Sequence, residues 1–515
     1  MVSRPEHRHP LPALWAEAFR RDSEQPIVLA DPLPERRLAR LLAAFIAGGL
    51  FFLVAPGTLL GVWNLIDISS RHSAGSVSPV WIQSHGHAQL FGWVASFMIG
   101  ISLYTVPKFR GGALRSLRVG WAMWALWTGA VGARWCAALL EWHWRTIWPL
   151  ASAAELTVAL LLIWQCAVPA RSTGLWNRLV FAGFGGLVLT LAWQLAVILP
   201  LIAEPLIPAG PNHVLLWLAL WAFAFPVAWG FSVRFLPSFL GLPKPKPRAA
   251  TCGLVLLAAA AASIASQPAG GLFLVASVLA ACWSISIFQP APRSAKLAGV
   301  DPRYPWFVRA SFAWLVTAAV LALAGNSAGW IGASRHAFTV GFLATLIFSI
   351  GPRILPSFLN SRELWSKRLM LAALLLISAG CLLRVTCEPL AYGGIAPWAW
   401  NVLPVSATLE LAAVMAFAIN IAMTLAAPLP AWIEASSVTA ALPLYWYISA
   451  YPGTRALLQR AGLHTLAHVR QVPRSLTLRE AALADQADEE QLLALLREYF
   501  EKRLARTLRE KRLPC

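Results

Sequence analysis

The sequence predicts an all-α protein that crosses a membrane about twelve times, as three consecutive four-helix units, and ends in a small helical cytoplasmic tail. Three observations predict it. The 515 residues are 58% hydrophobic and only 13% charged, too apolar for a water-soluble core and too long for one membrane hairpin. Apolar runs of roughly 20 residues, the length that spans the hydrocarbon layer, recur along the chain. One histidine-led helix appears three times in them.

The first 40 residues are polar and basic, with Arg4, Arg8, Arg20, Arg21, Arg36, Arg37 and Arg40. No small-residue cleavage site lies in the apolar run that follows, so residues 1–40 read as a retained cytoplasmic segment. The transmembrane domain covers 41–427. Its runs fall at roughly 41–65, 81–106, 117–140, 146–168, 178–202, 212–236, 250–266, 270–289, 305–330, 334–357, 368–390 and 398–427. Only Gln267, Pro268 and a Gly pair divide the seventh from the eighth. Residues 428–515 are polar, with a capping signal at Ser475-Leu-Thr-Leu-Arg-Glu480 and a charged helical run from Asp488 to Lys511.

The net charge of +19 is distributed as membrane topology requires. Lysine and arginine fill alternate loops: Lys108, Arg110, Arg115 and Arg118; Arg171 and Arg178; Lys244, Lys246 and Arg248; Arg293, Lys296, Arg303 and Arg309; Arg353, Arg362, Lys367 and Arg368. The loops between hold little beyond Arg71, Arg145 and Arg335. This asymmetry puts both termini in the cytoplasm, agrees with an even helix count and leaves no need for nucleic acid as a partner. The seven cysteines are scattered without a Cys-x-x-Cys, which argues against disulfides, c-type haem attachment and iron-sulfur or zinc-ribbon sites. Several of the 26 tryptophans, such as Trp63, Trp81, Trp142, Trp148 and Trp398, stand at predicted helix ends as interfacial anchors do.

The repeated helix is clearest in His85–Gly112 and His336–Phe358. Counting from His87 and His336, each has Ala next, then Gly (Gly92, Gly341), Pro (Pro107, Pro356) and Phe (Phe109, Phe358) at the same offsets. A third copy, His213 to Phe239, is four residues longer before its proline and ends on Arg234-Phe-Leu-Pro-Ser-Phe-Leu240, close to Arg353-Ile-Leu-Pro-Ser-Phe-Leu359. Under the derived topology all three run inward, so their histidines share a depth in the outer half of the membrane. Ionisable groups inside spans mark ion paths, proton relays or cofactors, and imidazole ligates iron and copper. His87, His336 and His213 are therefore candidate metal ligands, against the plainer reading of interfacial polar residues. His85 lies about 200° round the helix from His87 and faces a different neighbour. Arg134, Glu155, Gln194, Arg384 and Glu410 also fall within spans. The arginines suit cofactor carboxylates and the carboxylates a proton relay; structural ion pairs are the alternative. Arg234 and Arg353 read as orientation charges.

His85-Gly-His-Ala-Gln-Leu-Phe-Gly-Trp93 and the order of helix-start histidines resemble the catalytic subunit of haem-copper oxidases, which also has twelve helices in three groups of four. The chain departs from it in having no adjacent His-His pair and a single histidine on the tenth helix, so a complete oxygen- or nitric-oxide-reducing site is not expected. The sequence is closer to the NnrS family, through His85 to Gly92 with Val106-Pro107, and His336-Ala-Phe-Thr-Val-Gly341 with Arg353. That resemblance implies a haem of b type, copper, residence in a bacterial inner membrane and a part in nitric oxide tolerance during denitrification. It departs from the family in Ala88-Gln89 and in the added tail. With it, His87 and His336 are read as axial haem ligands, and His213, His85, Arg134 and Arg384 as further cofactor contacts. The expected partners are membrane lipid and a small gas such as nitric oxide. Two other functions stay open: a divergent haem-copper oxidoreductase, and a proton-coupled or metal transporter, although parallel repeats are less common there than inverted ones. The tail, with Tyr451-Pro-Gly-Thr and Gly462-Leu, resembles DUF1858-type modules without the cysteine that often follows, and reads as a cytoplasmic module for a protein partner.

Overall fold

The structure, a computed structural model, describes residues 11–24, 32–168, 174–264, 269–297, 299–324, 328–358, 364–426, 438–450, 453–469, 472–473 and 475–510. The expectations placed on Arg4, Arg8, Arg171, Gln267, Pro268, Arg362 and Tyr451-Pro452 lie outside these. Every regular element is a helix among the described residues. The chain divides into two compact units, 38–426, and 1–37 with 427–515.

Helix α1, Ala13–Glu24, belongs to the second of these units. The membrane unit then holds α2 (Arg37–Ser70), α3 (Pro79–Phe109), α4 (Leu117–Leu139), α5 (Trp144–Cys166), α6 (Leu175–Ile198), α7 (Ala209–Phe239), α8 (Pro247–Ala262), α9 (Ala269–Ile285), α10 (Tyr304–Leu321), α11 (Ala328–Phe358), α12 (Lys367–Tyr392) and α13 (Ala399–Ala426). Among the described residues nine of these are long and apolar enough to span a bilayer. The other three, α4, α8 and α9, fill the places predicted for the third, seventh and eighth crossings. The Gly, Ala, Trp and Arg content of α4 lowers its hydropathy, and α8 and α9 are only 16 and 17 residues long.

The three motif helices share one internal plan. In α3 a nine-residue α segment ends at His87, an eight-residue π segment follows (Ala88–Ala95), and α geometry resumes to Phe109. Helix α11 repeats this as Ala328–His336, Ala337–Ala344 and Thr345–Phe358, and α7 as Ala209–Trp217, Leu218–Ala224 and Phe225–Phe239. A fourth π segment, Leu53–Leu59, lies in α2 around Pro56. Geometry of this kind leaves carbonyls poorly paired and is common at functional sites. Side chains supply the missing donors. Trp127 Nε1 donates to Phe91 O at 3.1 Å, Thr58 Oγ1 to Leu53 O at 2.8 Å, and Thr345 Oγ1 to Val340 O at 3.2 Å.

This shared frame corrects one expectation. The residue that ends the first α segment of α7, where α3 has His87 and α11 has His336, is Trp217. His213 sits one turn earlier and is not their structural counterpart.

The motif helices form the centre of the membrane unit. Their most apolar windows are 94%, 72% and 72% buried, against 39–56% for the other candidate spans. Their C-terminal ends interlock in a closed ring. Tyr104 packs on Phe358 at 4.9 Å, Arg234 stacks its guanidinium over Phe109 at 4.7 Å, and Arg353 over Phe239 at 4.7 Å. In each helix the residue five before the terminal Phe reaches the terminal Phe of a neighbour, the relation a threefold arrangement requires. The two arginines, expected from sequence to be orientation charges, thus have a packing role.

First and third four-helix units also share their caps. Ser116 caps α4 and Ser366 caps α12 through their hydroxyls. Gln165 of α5 brackets the backbone of Ser116, and Asn420 of α13 that of Ser366, each accepting from N–H and donating to C=O.

The other unit continues with α14 (Leu444–Ala450), α15 (Gly453–Arg460), α16 (Leu478–Asp485) and α17 (Glu489–Glu510). Trp15 and Ala18 of α1 are fully buried in the same core as Leu458, Leu476 and Leu496. Arg21 Nη2 stands 3.1 Å from Glu480 Oε1. The basic N-terminal segment is therefore not separate from the tail, since its helix helps to build the tail's core. The capping signal is realised with Thr477 as N-cap and Glu480 closing the box.

Candidate functional site

Polar side chains gather near the N-terminal ends of α3 and α11 in two clusters, and His85 and His87 look into different ones. His87 is buried, stacks edge-on to Phe91 at 4.8 Å, and brings Nε2 within 3.1 Å of Glu155 Oε1 on α5. The contact is not aligned as a hydrogen bond, and neither ring nitrogen has one among the described residues. Glu155 takes a hydrogen bond from Gln194 of α6 at 2.6 Å and lies in the field of Arg134 on α4. Arg134 rests on the face of Trp148 at 4.7 Å, while Trp148 Nε1 donates to the Arg134 carbonyl at 3.1 Å. Its Nη1 is buried without a hydrogen-bond partner. Four helices thus meet at His87, and the carboxylate beside it comes from α5. Gln89 serves structure instead, donating to Thr58 Oγ1 at 2.9 Å and so joining the π segments of α3 and α2.

The second cluster centres on His336. Its Nδ1 donates to Gly332 O at 2.9 Å and stands 3.5 Å from Glu388 Oε2 on α12. The same oxygen is 3.2 Å from Arg384 Nε. His85 belongs here: its Nδ1 donates to Gly57 O of α2 at 2.9 Å, and it lies in the fields of His336 and Arg384. Glu410 of α13 feels His336, Arg384 and Glu388. Two glycines make room. A Cβ on Gly61 would come 2.4 Å from His85 Cε1, and one on Gly332 would come 1.7 Å from Glu388 Oε1.

Both histidines of this cluster therefore spend Nδ1–H on a backbone carbonyl, which fixes the tautomer with the lone pair on Nε2. That is the arrangement of imidazoles that ligate metals. The clusters are also counterparts. His87, Arg134 and Glu155 stand on the second, third and fourth helices of the first unit, and His336, Arg384 and Glu410 on those of the third. His213 is apart from both and faces a cavity beside Arg335.

The NnrS protein family matches the chain over residues 40–428. The chain belongs to the NnrS family. The match covers the whole membrane unit, so both clusters lie in the NnrS part of the molecule, and membership makes this a nitric-oxide-related membrane protein. No curated protein matches the chain.

One member of the candidate site escapes sequence reasoning. Glu388 is an acid four residues after Arg384 and just before Pro389, at the predicted end of a span, where such a pair reads as an ordinary helix-end ion pair. The close approach of Gly332, which no periodicity reveals, turns it toward His336.

Proposed function

We propose that this NnrS-family protein binds a haem in the outer half of a bacterial inner membrane and acts in the response to nitric oxide. His85 and His336 would hold the iron, and Arg384 of the same cluster has a buried nitrogen free for its carboxylates. The observation that carries the reading is the matched tethering of two Nδ1 atoms at 2.9 Å, which leaves two Nε2 lone pairs in one polar cluster. When bound, the haem would supply an iron that exchanges electrons. The chain's part is to fix the two imidazoles, balance charge with Glu388 and Glu410, and exclude water through the packed C-terminal halves of α3, α7 and α11. Copper fits less well: among the described residues no group of three or more His, Cys, Asp or Glu could hold a metal ion, and we assign it no residues. With the lysine- and arginine-rich loops in the cytoplasm, both termini are cytoplasmic and the clusters lie toward the periplasm.

The test is haem content and the reduced optical spectrum of the purified protein. His85→Ala and His336→Ala should lose the haem and remain folded, whereas His87→Ala should keep it. Full retention in His85→Ala, or loss in His87→Ala equal to that in His336→Ala, sinks the assignment. The buried carboxylates Glu155, Glu388 and Glu410 favour a second reading as a proton-coupled transporter. A colourless wild-type protein would leave that one standing.

A further inference from the structure

A cavity of about 70 Å³ lies between α7, α11, the end of α10 and the α8–α9 pair, and none of the histidine-cluster residues line it. Two positive or protonatable groups look into it, His213 from α7 and Arg335 from α11. Neither side chain makes a hydrogen bond or an ion pair among the described residues. The field of Glu388 reaches Arg335, but that carboxylate is already 3.2 Å from Arg384 Nε and 3.5 Å from His336 Nδ1. Trp217, Trp221 and Phe338 line the apolar side, with Trp221 and Phe338 packed edge to face at 4.5 Å. Ser263 lines it from the end of α8, and among the described residues no acidic side chain does.

Helices α8 and α9 are 16 and 17 residues long, about 24–26 Å at 1.5 Å per residue, short of the roughly 30 Å hydrocarbon layer. An arginine within a span is expensive unless paired, and here the side chain faces a space instead of a partner.

We propose that this cavity binds a small planar monovalent oxyanion of the carboxylate, nitrite or nitrate class. The Arg335 fork offers two parallel N–H groups to two oxygens of one plane, and His213 offers a further donor. The volume exceeds the roughly 10–15 Å³ that one water needs. It admits several heavy atoms.

Formate, nitrite and nitrate serve as probes, titrated calorimetrically against the full chain in phosphatidylcholine nanodiscs, with haem content recorded in the same preparations. At least one should bind saturably, and Arg335→Gln should weaken it at least tenfold. His213→Gln should weaken it about threefold, as for loss of one hydrogen bond, and the exposed Arg145→Gln should leave it unchanged. No saturable binding of any probe, or wild-type affinity in Arg335→Gln, overturns the proposal. If Arg335→Gln does not fold, unchanged affinity in His213→Gln overturns it. Anion binding by a haem-free preparation upholds this site and rejects the haem reading; haem without anion binding does the reverse.

Discussion

Replacing Gly332 by Ala tests whether Glu388 is held against Arg384 and His336 by design of the backbone. The added methyl would stand 1.7 Å from Glu388 Oε1 and 2.6 Å from its Cδ, so the carboxylate must leave. It is the end of a flexible side chain and can yield, but Arg384 then keeps its charge in the span without the acid now 3.2 Å away. Removing one partner of a buried pair costs about 3–5 kcal/mol, and we take the lower end, about 3, because the displaced acid stays nearby. Alanine gains about 1 kcal/mol over glycine in a helix, leaving a net loss of about 2 kcal/mol. Gly129 of α4 is the control, since its Cβ would meet nothing within 4 Å, and Gly129→Ala should be neutral or gain up to about 1 kcal/mol. Unfolding free energies from detergent titration with sodium dodecyl sulfate provide the comparison. Gly332→Ala added to Glu388→Ala should gain up to about 1 kcal/mol, as Gly129→Ala does, because the contact is already gone. Equal stability of Gly332→Ala and Gly129→Ala would refute the reasoning.

Four further outcomes are expected. Gly61→Ala should turn the His85 ring, whose Cε1 is 2.4 Å from the new Cβ, and lower haem content as His85→Ala does; full content would separate His85 orientation from binding. Arg234→Ala should destabilise the C-terminal ring by about 0.5–2 kcal/mol, and Arg234→Lys by less, read in the same detergent titration. For Glu480, burial by itself raises the carboxyl pKa, but the hydrogen bonds from Thr477 and the Arg21 guanidinium hold it below its ordinary 4.5. Its contribution to the tail is thus complete above pH 4.5 and lost as pH falls through the lower folded value. Glu480→Gln should make α16 exchange amide hydrogens faster at pH 7, with the gap to wild type closing in acid; a gap that persists once Glu480 is protonated would assign the effect to something other than charge. Single cysteines at Ser73 and Ser294, with native cysteines replaced, should respectively react with and resist an impermeant thiol reagent in spheroplasts, and the reverse pattern would invert the topology.

The helical class and the repeat were legible because a bilayer imposes length and because His-Ala, Gly, Pro and Phe recur at fixed offsets. His213 was misaligned because its copy was counted from the histidine, whereas the structure sets the register from both helix ends and puts Trp217 in its place. The division of labour between His85 and His87 was readable as an angle, but not which one looks toward His336, since that depends on Gly57 O of another helix. The π segments leave no trace in hydropathy, because Ala88–Ala95 and Ala337–Ala344 are as apolar as any α-helical span. Trp15 and Ala18 were overlooked because the arginines around them read as topology signals.

The core that α1 shares with residues 438–510 constrains how the whole chain can be made. Trp15 leaves the ribosome long before Leu496, yet both are buried in one cluster. An odd number of crossings would strand the two halves of that cluster on opposite sides of the bilayer, so parity is enforced by folding as well as by loop charge. The N-terminal helix must also wait, its tryptophan exposed, until the last span is inserted and the tail emerges. The closed cluster is then a signature of finished insertion, one that a quality-control protease cutting within α1 would read.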